Sequence, residues 1–296
     1  MKALVISGGG CMGAFAGGVA EYLITEKHRD YRLFVGSSTG ALLLPLLALG
    51  EIEHIRKIYS SIEHSDIFDV NPIGFSKMEE TYKIKISYLV LLSRILTEKR
   101  TFGESRNLRK LIQRSLTKEL YKRLQASGKE VVVAVSNLCC EKLEYKSSND
   151  CGYEDFCDWL WASANMIPFM SLMQKDGCFY ADGGLGVGVP IHEAVRRGAK
   201  DIDAIVLQLK GEPQQRKKIR NIIEMSSAAA HFMVHQISRN NLLIADFDMK
   251  THVKIKEWFL PRQLTDNELV FNSKEMKAWW REGLEHAREK DKGAGN

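Results

Sequence analysis

Short apolar runs alternate with amphipathic stretches through the first fifty residues of the chain. The run from Ala3 to Ile6 ends at three consecutive glycines, which is typical of a strand buried on both faces. Residues 13–26 carry apolar side chains at helical spacing, residues 31–35 have the pattern of a second strand, and residues 39–49 that of an almost wholly apolar helix. Two successive strand–helix units predict a parallel sheet with right-handed crossovers, and hence an α/β fold.

The rest of the chain continues this alternation. Leucines and isoleucines at three- and four-residue spacing predict one helix over residues 105–126, which Gly128 would end. The other predicted elements are strands at 130–135 and 202–209, a long helix at 216–241, and a last helix at 272–290. No repeat or linker interrupts them. We therefore predict one three-layer α/β domain over residues 1–296, with a core of about 1–210 that holds the candidate site and a mainly helical part of about 211–296.

Composition and charge exclude several classes of protein. The 296 residues include 45% hydrophobic and 27% charged side chains, as in globular proteins. A net charge of +5 is too small to indicate a nucleic-acid partner. Six cysteines without a C-x-x-C pair indicate free thiols in a reducing compartment, neither a metal site nor a disulfide framework. The short apolar start and the lack of an apolar run of about 20 residues predict a cytoplasmic protein without signal peptide or transmembrane segment.

The positive charge is concentrated in two segments. Nine Lys or Arg residues and four Glu residues lie between Lys77 and Lys110, and a second basic segment runs from Lys210 to Arg220. Within the first segment, residues 84–96 are mostly apolar. This pattern predicts either an interfacial element that binds peripherally to an anionic membrane or an ordinary amphipathic helix of the core.

The first glycine motif is Gly8-Gly9-Gly10-Cys11-Met12-Gly13, placed between the first strand and the first helix. It has the G-x-G-x-x-G spacing of dinucleotide-binding proteins. Those proteins also need an acidic residue at the end of the second strand to bind the ribose, and residues 34–38 contain none. A dinucleotide site therefore stays an alternative, but the sequence favours no cofactor.

The second motif is Gly36-Ser37-Ser38-Thr39-Gly40, between the second strand and the second helix. G-x-S-x-G in this position is a nucleophile elbow, in which a tight turn exposes the central serine above the sheet. By position the nucleophile would be Ser38; the alternative is a turn with a capping serine. If the first two strands are neighbours, the backbone N–H groups of Gly9 and Gly10, with Cys11 as a third candidate, could stabilise an oxyanion formed beside Ser38.

A nucleophilic serine needs a base, and the sequence offers two solutions. Asp182-Gly183-Gly184 follows a short apolar run and is either an ordinary turn or the site of a catalytic carboxylate. The histidines that follow it also allow a triad in the order Ser, Asp, His, as in α/β-hydrolase carboxylesterases. These histidines are His192, His231, His235 and His252.

With these motifs in this order, the chain resembles the patatin-like phospholipases over residues 1 to about 210, and loosely thereafter. The segment Ala162-Ser163-Ala164 with Pro168 is also similar to the one that the family carries before its Asp-Gly motif. The resemblance implies a Ser–Asp dyad with Ser38 as nucleophile and Asp182 as proton acceptor, an oxyanion hole at the glycine loop, and an acyl-enzyme intermediate. It also implies a phospholipid or lysophospholipid substrate, and no metal or other cofactor.

Two positions depart from the family pattern. Met12 stands where the family usually has Arg or Lys, and Gly188 stands where it often has Asn. Because of the first departure, a non-catalytic lipid-binding protein of the same fold stays open as an alternative. The sequence does not indicate an oligomeric state, a headgroup preference or an activating partner.

Overall fold

The computed structural model describes residues 1–71, 73–78, 81–86, 88–211, 225, 232–243, 253–265 and 267–293. The strands are β1 (Lys2–Ile6), β2 (Leu33–Gly36), β3 (Ile73–Met78), β4 (Thr81–Ile86), β5 (Glu130–Asn137), β6 (Lys142–Ser147), β7 (Met173–Lys175), β8 (Cys178–Asp182), β9 (Asp201–Leu209) and β10 (Lys254–Leu260). The helices that precede β9 in the chain are α1 (Gly13–Glu21), α2 (Thr39–Ala48), α3 (Ile52–Tyr59), α4 (His64–Ile67), α5 (Tyr88–Leu96), α6 (Arg106–Ser115), α7 (Lys118–Ala126), α8 (Tyr153–Ser163) and α9 (Ile191–Arg196). They are followed by α10 (232–243) and α11 (Ser273–Gly293).

One mixed sheet organises these elements. Its strand order is β10-β9-β1-β2-β5-β8-β7, with β6 also paired to β5. The five strands β10, β9, β1, β2 and β5 are parallel, whereas β6, β7 and β8 pair antiparallel to their neighbours. Strands β3 and β4 form a separate hairpin. The predicted α/β fold with a mainly parallel sheet is therefore confirmed.

Both faces of the sheet are covered. Leu4 and Ile6 of β1 point into the larger apolar cluster, which also contains residues of α1 and α2. Ala3 and Val5 of the same strand point into a second cluster, which contains Ile191 and Ala194 of α9. Because successive strand residues face opposite sides of a sheet, this division means that helices lie on both faces and the structure has three layers.

The predicted helix over residues 105–126 is two helices instead of one. Leu116 has non-helical dihedral angles, φ −101° and ψ 87°, which end α6. The Thr117 hydroxyl then accepts a hydrogen bond from the Leu120 N–H and caps the start of α7. The leucine spacing continues across this break, so the apolar pattern alone could not reveal it.

The C-terminal part of the chain contributes to the sheet as well as to the helical layers. Strand β10, which the sequence analysis did not predict, lies at the edge of the sheet beside β9. The predicted last helix is α11, and Asn272 caps it, because its Oδ1 accepts hydrogen bonds from the N–H groups of Lys274 and Glu275. Most of the predicted helix over 216–241 lies outside the described residues, and α10 covers its described end.

Candidate active site

Ser38 lies in a sharp turn between β2 and α2. Its backbone has φ 53° and ψ −128°, a conformation that non-glycine residues seldom adopt and that occurs at nucleophile elbows. Gly40 follows two residues later, and a Cβ at that position would lie 2.3 Å from the carbonyl oxygen of Ile6. Glycine is therefore needed for the turn to pack this closely against the end of β1.

Asp182, the last residue of β8, lies within hydrogen-bonding distance of Ser38. The Ser38 hydroxyl donates to Oδ2 of Asp182 at 2.7 Å, and the Gly184 N–H donates to Oδ1 at 2.6 Å. Both side chains are buried. The two residues are 144 positions apart in sequence, and the antiparallel pairing of β8 with β5 brings them together.

The pKa of Asp182 is unusually high for a carboxyl group. Burial raises its pKa from 3.8 to about 7, although the hydrogen bonds from Ser38 and Gly184 act in the opposite direction. The negative charge of Glu268 raises the pKa further. No Lys or Arg of the described ranges forms an ion pair with Asp182, so no cation offsets the cost of ionising it.

The glycine loop lies beside Ser38 because β1 and β2 are adjacent parallel strands, as the oxyanion argument requires. A Cβ on Gly8 would lie 3.2 Å from Cβ of Ser38. Gly10 has φ 53°, and a Cβ there would lie 2.1 Å from the carbonyl oxygen of Glu268. Across the described chain, the N–H groups of Gly9 and Gly10 donate to no protein acceptor. The Cys11 N–H differs from them, because it donates to the Glu268 carbonyl at 2.9 Å.

Ser163 stabilises the turn at Ser38 through a hydrogen bond to its backbone. The Ser38 N–H donates to the Ser163 hydroxyl at 3.1 Å, and Ser163 is fully buried at the end of α8. The sequence analysis used this residue only to define a resemblance and did not assign it a contact. Glu268 was missed altogether, because no motif surrounds it and its proximity to Gly10 and Asp182 arises only from the tertiary fold.

An apolar cavity adjoins the two polar side chains. Ser38, Asp182 and Gly10 line it together with aliphatic side chains from three helices, for example Leu42 and Leu46 of α2, Ile55 of α3, and Leu108 and Ile112 of α6. Among its described lining residues, Asp182 is the only carboxylic acid, and there is no Lys, Arg or His. The cavity therefore suits a hydrocarbon chain placed against a serine hydroxyl.

The two departures from the family pattern have structural counterparts. Met12 is buried in the larger apolar cluster. At Gly188, a Cβ would lie 1.7 Å from Oγ of Ser238 in α10, so this helix leaves no space for a side chain. Asn241 of α10 accepts the Gly188 N–H at 3.0 Å, while the Gly188 carbonyl accepts the Gly8 N–H at 3.1 Å. An amide side chain is thus present here, but it comes from another element.

The remaining candidates are placed as follows. His192 lies in α9 and His235 in α10, and neither lines the cavity; His231 and His252 are outside the described residues. The described chain holds no group of three or more His, Cys, Asp or Glu side chains arranged to bind a metal ion. Its six cysteines are free thiols. None of the described helices is both long and apolar enough to cross a bilayer.

The apolar segment 84–96 is divided between β4 and α5. The described side chains Leu92, Ile95 and Leu96 are 54%, 60% and 73% exposed, which differs from an ordinary core helix. Arg94, a basic residue within this segment, donates to Glu104 at 2.6 Å and to the carbonyl oxygen of Thr101 at 2.7 Å. Its charge is therefore paired within the protein.

A family model, one relative and one solved structure are similar to this chain. The model of the patatin-like phospholipases matches residues 4–195, which is more than half of the chain. The uncharacterized protein YjjU of Escherichia coli (strain K12) is 25% identical over 231 residues, covering 76% of this chain and 58% of the relative. The crystal structure of VipD from Legionella pneumophila aligns with 96% of this chain and 66% of its own, at 14% identity and a TM-score of 0.48. This chain therefore spans less than two thirds of either protein.

Proposed function

The chain belongs to the patatin-like phospholipase family, and from that premise we propose that it hydrolyses fatty-acyl esters of phospholipids or lysophospholipids with Ser38 and Asp182. Family membership supports lipid acyl hydrolase activity in general. The observation that carries the dyad is the 2.7 Å hydrogen bond between Ser38 Oγ and Asp182 Oδ2, at the wall of an apolar cavity.

The first half-reaction forms an acyl-serine. Asp182 accepts the hydroxyl proton while Ser38 Oγ attacks the ester carbonyl, and the oxyanion accepts hydrogen bonds from the N–H groups of Gly9 and Gly10. When the tetrahedral intermediate collapses, the C–O bond of the ester breaks and the leaving alcohol takes the proton from Asp182. Cys11 is left out as a donor because its N–H is already bonded to Glu268.

The second half-reaction releases the fatty acid. Water loses a proton to Asp182 and attacks the acyl carbonyl, the same two amides stabilise the new oxyanion, and Ser38 leaves as the alcohol after regaining the proton. A raised pKa makes Asp182 a stronger base than an ordinary carboxylate, and no Lys or Arg in the described part of the chain forms an ion pair with it. This is why the dyad is favoured over a histidine triad.

The cavity supports an acyl-chain substrate. Leu42, Leu46, Ile55 and Leu108 would surround a hydrocarbon chain whose ester carbonyl lies at Ser38. Burial of each methylene against such a surface stabilises binding by about 0.8 kcal/mol, so long-chain esters should bind more tightly than short ones. A dinucleotide would place polar ribose and phosphate groups against the same apolar wall, which argues against that alternative.

Covalent labelling with a fluorophosphonate probe tests the nucleophile. We expect labelling of the wild-type protein, none of Ser38→Ala, and unchanged labelling of Ser37→Ala. Ser37 is a matched control because it is the adjacent buried serine, and its hydroxyl has no hydrogen-bond partner within the described structure. Labelling that persists in Ser38→Ala would refute the assignment. A triad would instead be indicated by loss of labelling after replacement of a single histidine.

We also propose that α5 contacts an anionic membrane. Leu92, Ile95 and Leu96 would enter the interface, and Lys99 and Arg100, both exposed, would lie near the lipid headgroups. Serine replacement of the three apolar residues should weaken sedimentation with anionic vesicles, whereas Leu243→Ser should not. Leu243 is 58% exposed at the end of a different helix, α10. Vesicle binding that is unaffected by the α5 changes and by salt would exclude this surface.

A further inference from the structure

Three of the six cysteines lie where strand β8 begins. Cys139 and Cys140 follow β5 in its turn to β6 and are exposed, while Cys178 is the first residue of β8 and is half-buried. None of them lines the cavity or has a part in the proposed acyl transfer. In contrast, Cys11 and Cys157 are buried in the apolar core.

The pairing of β5 with β8 brings Cys139 near Cys178. Strands β5 and β8 are antiparallel, with Val135 facing Asp182 and Asn137 facing Tyr180. After β5 ends, the Leu138 N–H still donates to the Phe179 carbonyl oxygen at 2.8 Å. Cys139 follows in the turn to β6, next to the first residues of β8.

Side-chain contacts fix the position of Cys139 independently of the register. The Phe179 N–H donates to Sγ of Cys139 at 3.2 Å, so this sulfur lies over the residue next to Cys178. Asn137 Oδ1 accepts hydrogen bonds from the N–H groups of Cys139 and Cys140, at 3.1 and 3.2 Å, and thereby holds the turn. Partial burial, followed by the adjacent Cys139 thiol, raises the pKa of Cys178, as expected for neighbouring thiols.

This arrangement is compatible with a disulfide. Phe179 directly follows Cys178 and donates its N–H to Sγ of Cys139, so the Cys139 sulfur lies one residue away from Cys178. Cys139 belongs to the short turn between β5 and β6, which can adjust without moving either strand. Disulfides span Cα separations of about 4.4–6.8 Å, so a bridge requires only that the Cys139 sulfur exchange the Phe179 N–H for Sγ of Cys178.

We propose that Cys139 and Cys178 are a redox modification site that forms an intramolecular disulfide by exchange with a small-molecule disulfide such as oxidised glutathione. The exposed Cys139, as its thiolate, attacks one sulfur of glutathione disulfide; the S–S bond breaks and one glutathione leaves as a thiol. Cys178 then loses its proton and attacks Sγ of Cys139, which releases the second glutathione. The protein loses two hydrogen atoms, and two molecules of glutathione are formed.

Incubation of the full chain with oxidised glutathione, followed by digestion without reduction and mass spectrometry, tests the pairing. A peptide containing residues 139–140 should be joined to one containing residue 178, both in the wild type and in Cys140→Ser. The crosslink should be absent from Cys139→Ser and from Cys178→Ser. The half-buried Cys151, which donates to the Ser147 carbonyl, provides a control: Cys151→Ser should form the crosslink like the wild type.

A second measurement uses thermal stability. A disulfide between residues 139 and 178 closes a long loop of the unfolded chain, so the oxidised Cys140→Ser protein should melt several degrees higher than the reduced protein. A thiol reductant should reverse the gain. The proposal is overturned if oxidation gives only glutathione adducts, or if it joins Cys140 to either of the other two cysteines. None of these readouts uses ester hydrolysis, so the disulfide proposal is tested independently of the Ser38–Asp182 proposal.

Discussion

Two buried aspartates in the main sheet differ in what surrounds their carboxylates. Asp203 of β9 lies opposite Leu4, near the amino ends of the parallel strands. It accepts hydrogen bonds from the Arg29 guanidinium at 2.9 Å and the Tyr31 hydroxyl at 2.7 Å on one oxygen, and from the Trp258 indole N–H at 3.1 Å on the other. Asp182 lies near the carboxyl end of β5 and has one hydroxyl and one amide as donors, with no cation.

The difference separates a structural carboxylate from the one that we propose as the base. At Asp203 a guanidinium and two further donors compensate the lost hydration of the buried side chain. Asp182 lacks this compensation, so the proton is held more tightly and the carboxylate becomes a useful base near neutral pH. A cation beside Asp182 would stabilise the folded protein and weaken the base. In the proposed mechanism, the arrangement at Ser38 thus gives up stability for reactivity.

The largest expected effects come from neutralising each aspartate in turn. Asp182→Asn should reduce ester hydrolysis about a thousand-fold or more, because the asparagine cannot accept the Ser38 proton. It should not lower the free energy of unfolding at pH 8, since it removes a buried charge without a counterion. Asp203→Asn should lower that free energy by about 2 kcal/mol, because the hydrogen bond from Arg29 loses its charged acceptor. Arg29 keeps its ion pair with Asp201.

Urea denaturation and initial rates of hydrolysis measure both variants side by side. Folded Asp203→Asn protein should keep fluorophosphonate labelling of Ser38, because the two carboxylates are on different strands and share no hydrogen-bond partner. The comparison fails if Asp182→Asn is strongly destabilised and Asp203→Asn is not, or if hydrolysis survives in Asp182→Asn.

The sequence was sufficient to locate the tight turn at Ser38 because its local geometry requires particular residues, whereas the choice of Asp182 as the proposed base rested on the family resemblance. A turn as tight as that at Ser38 needs glycines on both sides, and these leave a recognisable spacing. The support for that turn could not be found in the same way. Ser163 accepts one distant backbone N–H and Asn241 accepts two adjacent ones, contacts that other polar residues in the right place could also provide.

The fold shows the same limit. Strands β1 and β2 were predictable because their apolar runs reflect burial on both faces. Strand β10 was not, since its residues are mostly half-buried and its sequence, KIKEWFL, begins with alternating charged residues, as at an edge. The break at Leu116 was hidden because both helices use the same apolar spacing.

The second expected effect is an opposite pH dependence of activity and stability. Since the pKa of Asp182 is about 7, kcat/KM should rise with pH through neutrality as the base becomes ionised. The ordinary pKa is 3.8, so between about pH 4 and pH 7 the folded protein binds more protons than the unfolded chain, and this contribution to stability falls as the pH rises. Asp182→Asn should lack that fall. A kcat/KM that is already maximal at pH 5 would contradict the assignment of Asp182 as base.

The smallest expected effect comes from the anionic neighbour of Asp182. Glu268 raises the pKa of Asp182, but less than burial does, so Glu268→Gln should move the rise of kcat/KM toward lower pH without changing its shape. The backbone contact with Cys11 uses the Glu268 carbonyl and is unaffected by this substitution. Glu275→Gln is a suitable control, because the Glu275 charge acts on Cys11 and is not among the influences on Asp182. The assignment would be contradicted if Glu268→Gln moved the rise of kcat/KM to higher pH, or if both variants moved it equally. Either result would mean that the Glu268 charge does not raise the pKa of Asp182.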